Sequence, residues 1–164
     1  MKKLYFILVV CLSVNTYSQN DCRMVISNDD VEGKSSITSS GISLGDFIFF
    51  ISISPKDLST LTLVFKVNKG GCVNDYDDVY FLFRNEKRLK FNNEKFNCDG
   101  WFWFNLVDKL DKGEFTTNLI KAISLNTDKR KLKIELTEDQ SLLLQSIFLC
   151  ANDKTKWQDQ VKYK

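Results

Sequence analysis

The stretch Asp99-Gly100-Trp101-Phe102-Trp103-Phe104-Asn105-Leu106 constrains this chain more than any other. Bulky rings in succession favour an extended strand, and along a strand successive side chains point to opposite faces. One face then carries Trp101, Trp103 and Asn105, and the other carries Phe102, Phe104 and Leu106. The Phe and Leu side has no polar atom to satisfy and is assigned to the core. The Trp side ends in an amide, and its exposure decides whether the chain presents a recognition surface there or a second packed face.

The N-terminus reads as a secretory signal. Met1-Lys2-Lys3 is basic, residues 4–14 form an apolar run of the size of a signal core, and Thr16-Tyr17-Ser18 offers small or modest residues before a cleavage point. Lipidation at Cys11 is disfavoured because Val10 stands where a small residue is needed. The expected organisation is a signal peptide over 1–18, a single disulfide-bonded domain over 19–151 and a polar, mobile tail over 152–164. No second apolar stretch approaches the roughly 20 residues of a spanning helix. The mature protein is therefore expected to be periplasmic or secreted, without stable membrane insertion. Cleavage removes Lys2 and Lys3 and no acid, so a formal charge of +2 becomes zero. A neutral chain offers no basic field of the kind that binds nucleic acid.

Of the five cysteines, Cys11 leaves with the signal, and Cys22, Cys72, Cys98 and Cys150 remain. An even number in an exported chain reads as two disulfides. Residues 79–84 and 88–91 predict two strands around the turn Asn85-Glu86-Lys87, and their register carried outward brings position 72 nearly opposite position 100. Cys72 is thus expected to bond Cys98, which leaves Cys22 for Cys150. The scattered spacing, without a CxxC pair, argues against zinc.

Alternating apolar residues predict further strands over 23–27, 36–42, 47–53, 61–67, 119–125 and 131–136. In the last of these Leu132, Ile134 and Leu136 face inward. Thr137 and Gln140 form a capping-box pattern at the start of a helix over 138–151. On that helix Leu143, Leu144, Ile147, Phe148 and Cys150 recur at three- and four-residue spacing. Residues 107–113 read as a charged connection with some helical character. The fold class is α+β: a mainly antiparallel sheet or small sandwich of seven or eight strands, with one C-terminal helix packed on it. In the tail, Trp157 and Tyr163 stand as isolated aromatics.

The Asp21-Cys22 start after a signal, the hairpin over 120–136 and the helix end from Leu144 to Cys150 resemble small exported, uncharacterised proteins of the Bacteroidota. The resemblance covers about a third of the chain as a rough share and contains no active-site motif. It implies the fold and the compartment, and no activity.

The chain has no histidine. That removes Ser-His-Asp and Cys-His catalysis, histidine-ligated metals and the commonest general base near neutral pH. A carboxylate pair of the kind used in glycoside hydrolysis is the chemistry that remains, and among 21 acids no particular pair stands out. Asp75, Asp77 and Asp78, with Asn74, offer hard oxygen ligands for calcium, but the loop lacks the glycine and distal glutamate of an EF-hand. Trp101 and Trp103 with Asn105, joined by Tyr80 and Phe50 on neighbouring strands, would form a flat platform for a sugar ring or an anchor for a protein. The expected function is a non-enzymatic binding module for a protein or surface-glycan partner, with an inhibitor or immunity-type protein as a narrower form. A carboxylate-dependent glycan hydrolase is the alternative, and no cofactor is expected.

Overall fold

Ten strands form where apolar residues alternate, in a computed structural model that describes residues 24–29, 34–54, 57–68, 71–127 and 131–157. They are β1 (Met24–Asp29), β2 (Lys34–Ser39), β3 (Ile42–Leu44), β4 (Phe47–Ser54), β5 (Asp57–Val67), β6 (Asp78–Phe83), β7 (Arg88–Asn92), β8 (Trp101–Leu106), β9 (Ile120–Asn126) and β10 (Lys131–Glu135). Two antiparallel sheets result. The first runs β1-β2-β4-β5-β8, with β3 also paired to β4, and the second runs β10-β9-β6-β7. The strands exceed the seven or eight expected, partly because the stretch read as one strand over 36–42 breaks at Ser40-Gly41. Its two halves, β2 and β3, share one flank of β4. A two-residue turn joins β3 to β4, and Gly45 opens it with φ of 60°, a conformation that this hairpin position requires and glycine tolerates.

The inner faces of both sheets are phenylalanine-rich. Phe49 on β4, Phe65 on β5 and Phe102 and Phe104 on β8 are buried, as the alternation predicts, and so are Phe81 and Phe83 on β6. The sheets meet ring to ring. Phe65 lies 6.1 Å from Phe81 between ring centres, and Phe104 stacks on Phe91 of β7 at 5.3 Å.

Two helices complete the core, where one was expected: α1 (Lys109–Thr117) and α2 (Glu138–Asn152). The first occupies most of the connection after β8. Asp108 caps it by accepting from the Leu110 amide, and Lys112 reaches the Ser59 carbonyl on β5. Phe115 is the buried apolar residue that docks α1, and its ring stacks on Phe148 of α2 at 4.4 Å while meeting Phe81 at 4.9 Å. Phe148 in turn meets Phe49, 5.8 Å away. One aromatic chain therefore runs from the first sheet through both helices to the second.

The capping box that opens α2 is formed as read from the sequence: the Gln140 amide donates to Thr137 Oγ1, and the Thr137 amide donates to Gln140 Oε1. Ser141, fully buried, donates its hydroxyl to the Ile120 carbonyl of β9 and so pins the first turn to the second sheet. After α2 the chain turns through a short 3-10 helix, Lys154–Lys156. Trp157 is not isolated. Its side chain is 1% exposed, and its indole N–H donates to the Cys150 carbonyl near the helix end, which also accepts from the Asp153 amide. Tyr163 lies outside the described residues, as does the expected signal over 1–18. Among the described residues no helix is long and apolar enough to cross a membrane.

Cys72 and Cys98 are bonded. The β6–β7 register, with Asp78 opposite Asn92, continues outward to Val73 opposite Asn97 and then places 72 opposite 98, two residues from the position that sequence alone gave. Val73 and Asn97 exchange both backbone hydrogen bonds, so the next pair out is the closer, non-hydrogen-bonded kind. By chain entropy a bridge across 26 residues stabilises by about 3 to 4 kcal/mol. Cys150 is disulfide-bonded too; Cys22, its expected partner, lies outside the described residues. Such bonds fit an oxidising compartment.

The aromatic chain makes a direct prediction. Phe148→Ala should lower unfolding free energy by about 3 to 5 kcal/mol in urea titrations. Leu149→Ala, at a side chain 46% exposed on the same helix, should change it by about 0.5 kcal/mol or less. Equal costs at the two positions would show that the helix docks through a different face.

Candidate functional site

The outer face of the first sheet is where β8 presents Trp101, Trp103 and Asn105. Its partner strand places Lys66 opposite Trp101, Val64 opposite Trp103 and Thr62 opposite Asn105. One strand further, Phe50 pairs with Val64 and Ser52 with Thr62. Both tryptophans are partly exposed. They do not lie side by side as a flat platform; their rings stack on each other at 5.8 Å with 19° between planes. One face of each indole is thereby used by the other. Trp101 is further enclosed by the edge-on ring of Phe50 at 6.0 Å and by the Lys66 ammonium, 4.7 Å from its ring centre.

Trp103 instead lines an open depression of about 420 Å³. Phe50 and Val64 supply the rest of its apolar wall, while Ser36, Thr38, Ser52 and Thr62 line it with hydroxyls from β2, β4 and β5. No lining side chain is charged. The Thr62 hydroxyl donates to Asn105 Oδ1 and the Thr38 hydroxyl to the Val25 carbonyl, whereas those of Ser36 and Ser52 bond no described residue. Neither indole N–H of the pair has a partner among the described residues.

What holds β8 in place was not anticipated. One edge pairs with β5, and the other meets no strand among the described residues. Side chains of the loop 93–97 close it. Asn97 accepts from the Trp101 amide and donates to the Trp101 carbonyl, Asn93 accepts from the Trp103 amide, and Glu94 accepts from both the backbone and side-chain amides of Asn105. The Glu94 amide donates to the Trp103 carbonyl. Asn93 is 2% exposed, and its Nδ2 also donates to the carbonyls of Asn74 and Lys95, so one side chain ties together two loops and the strand. A sequence signal existed in Asn92-Asn93 and Asn97, because asparagine carries both a donor and an acceptor and so mimics a peptide group. Asn105, read as a contact residue, has its amide engaged by Thr62 and Glu94.

Two groupings drawn from sequence come apart. Tyr80 does not join the tryptophans: β6 belongs to the second sheet, and Tyr80 lies opposite Lys90 and Ser124 there, on the face away from buried Val79 and Phe81. Adjacent strands in sequence, β5 and β6, do not pair, and this separation is what alternation cannot reveal. Phe50 does share the Trp face. Asp75, Asp77 and Asp78 also fail to converge. Asp77 is 3% exposed and folds back to accept from the Asn74 amide, and Asp78 pairs with Lys90 at 2.8 Å while Asp75 is exposed. Asp78 and then Tyr80 hold Lys90 charged to higher pH than usual. Among the described residues no group of three or more acids and cysteines could hold a metal ion.

Five of the described acids are held below their usual range. The Ser59 and Thr60 hydroxyls hold Asp57 at about 2, and hydrogen bonds from Lys121, Lys87, Lys133 and Thr155 lower Glu86, Glu114, Glu135 and Asp153 respectively. A general acid needs the opposite shift.

Asn93→Ala would strip the Trp103 amide and two carbonyls of their partner in a buried setting, and should destabilise by about 1 to 3 kcal/mol. Asn93→Asp, which keeps the acceptor and loses both donors, should still lose stability, and a near-UV circular dichroism change in the tryptophan bands should accompany it. Unchanged unfolding midpoints for both variants would contradict the clamp.

Comparison of the chain with family models, with curated proteins and with solved structures finds no match to any of them.

Proposed function

We propose that the protein is an exported, non-enzymatic binding module whose recognition surface is the outer face of the first sheet around Trp103. The observation that carries this reading is the depression itself: open, uncharged, walled by Trp103, Phe50 and Val64 and edged with hydroxyls. Three aromatic rings, Phe50, Trp101 and Trp103, lie partly exposed together on this face, and tryptophan concentrates at binding hot spots. The loop from Cys72 to Asp78 borders this surface through Asn93, which bonds both the Asn74 carbonyl and the Trp103 amide.

Several features support a module over an enzyme. The chain has no histidine and no acid lines the depression, while Asp57, Glu86, Glu114, Glu135 and Asp153 are held ionised rather than protonated. Export is supported by the basic N-terminus with its apolar run and by the disulfide from Cys72 to Cys98. The resemblance to small exported proteins of the Bacteroidota agrees with that compartment.

The test is quantitative capture. Immobilised mature protein is incubated with the producing cell's envelope fraction and medium, and bound protein and glycan are measured for wild type, Trp103→Ala and Leu149→Ala. Loss of a hot-spot tryptophan should weaken the specific partner by about 2 kcal/mol or more, a factor of about thirty. Leu149→Ala, on α2, should bind as wild type. Retained melting temperature in Trp103→Ala confirms that folding is intact, and undiminished capture by that variant would refute the assignment of this face.

A further inference from the structure

From the chemistry of this depression we infer that its ligand is a neutral carbohydrate chain, a proposal that rests on the reading of the Trp103 face as the recognition surface. Charge is the first argument. No lining side chain carries any, so an acidic, amino or phosphorylated ligand would lose water without gaining a counter-charge. Lys66, the cation opposite Trp101 on this face, lies over the Trp101 ring.

The second argument concerns what a sheet face can offer. Its backbone groups are spent within the ladder between β4, β5 and β8. The usual way for an extended peptide to bind, by adding a strand, needs a free edge. The β8 edge is closed by Asn93, Glu94 and Asn97. A ligand on this face must therefore bring hydrogen-bonding groups able to meet side-chain hydroxyls, together with an apolar surface for an aromatic wall. A pyranose has both, with C–H bonds on its ring faces and hydroxyls around its rim. Ser36 and Ser52 supply hydroxyls that bond no described residue, and Trp103 and Phe50 supply the wall. A volume of about 420 Å³ lies within the range of about 300 to 1,000 Å³ usual for small-ligand sites. The open form admits a sugar within a chain.

The experiment titrates the mature protein with cello-, xylo-, manno- and malto-hexaose, with hexagalacturonate and chitosan hexamer as charged counterparts, by calorimetry. Binding of at least one neutral hexaose is expected, with little change between low and high salt. Trp103→Ala should lose about tenfold or more in affinity, while Trp103→Phe and Ser52→Ala should lose less. Trp103-dependent binding confined to a charged oligosaccharide overturns the inference, as does binding of none. If the neutral hexaoses fail while Trp103→Ala still abolishes capture of a protein partner, the carbohydrate inference falls and the recognition face stands. If that capture is also insensitive to Trp103, both fall. Sedimentation of the wild type and Trp103→Ala excludes a second copy as occupant, and Trp103-dependent self-association would overturn the inference too.

Discussion

The position of the tryptophans depends on a side-chain clamp. An outermost strand ordinarily leaves a row of unpaired amides and carbonyls, which invites further strands and lets the edge fray. On β8 that row is satisfied by Asn93, Glu94 and Asn97. The loop carrying them is fixed by the bridge from Cys72 to Cys98 and by the paired backbone of Val73 and Asn97. A covalent bond thus restrains a polar network, and the network restrains the strand. The arrangement also blunts an edge that would otherwise present consecutive aromatic residues for aggregation.

The same strand shows why its two faces differ. Phe102, Phe104 and Leu106 are buried against the second sheet and the aromatic chain through Phe115 and Phe148, where each large ring contributes both area and shape. Trp101 and Trp103 stay partly exposed because their side of the sheet is covered by neither helix; α2 docks through Phe148 onto the inner side of β4. Folding is therefore driven from one face, and the other keeps its aromatic rings partly exposed.

Much of this was legible in sequence, and what was legible is local. The hairpins of β4 with β5, β6 with β7 and β9 with β10 follow from alternation and turn residues, and the start of α2 follows from Thr137 and Gln140. The pairing of Cys72 with Cys98 follows from hairpin register. What was missed depends on distant contacts. The helix α1 hides because Phe115 is its only fully buried residue among those whose exposure is described, while Leu110 is exposed and Gly113 weakens the pattern. Trp157 looks isolated in a polar tail, yet it caps the end of α2. Tyr80 shares the period-two alternation of the Trp face but sits in the second sheet, because which strands pair is not a property of sequence neighbours. Of the site, the Trp pair and Phe50 could be read by alternation, whereas the hydroxyls of Ser36, Thr38, Ser52 and Thr62 come from three strands whose juxtaposition only the sheet supplies.

A surface ordered before binding loses less entropy on meeting a partner, so the proposed recognition depends on β8 being clamped on both edges. Amide hydrogen exchange resolved by residue measures this most directly. The amides of Trp101, Trp103 and Asn105, which face the clamp, should exchange as slowly as those of Phe102 and Phe104, which face β5. Fast exchange at 101, 103 and 105, with protection confined to 102 and 104, would contradict the account by showing a frayed edge and a surface that is not preformed.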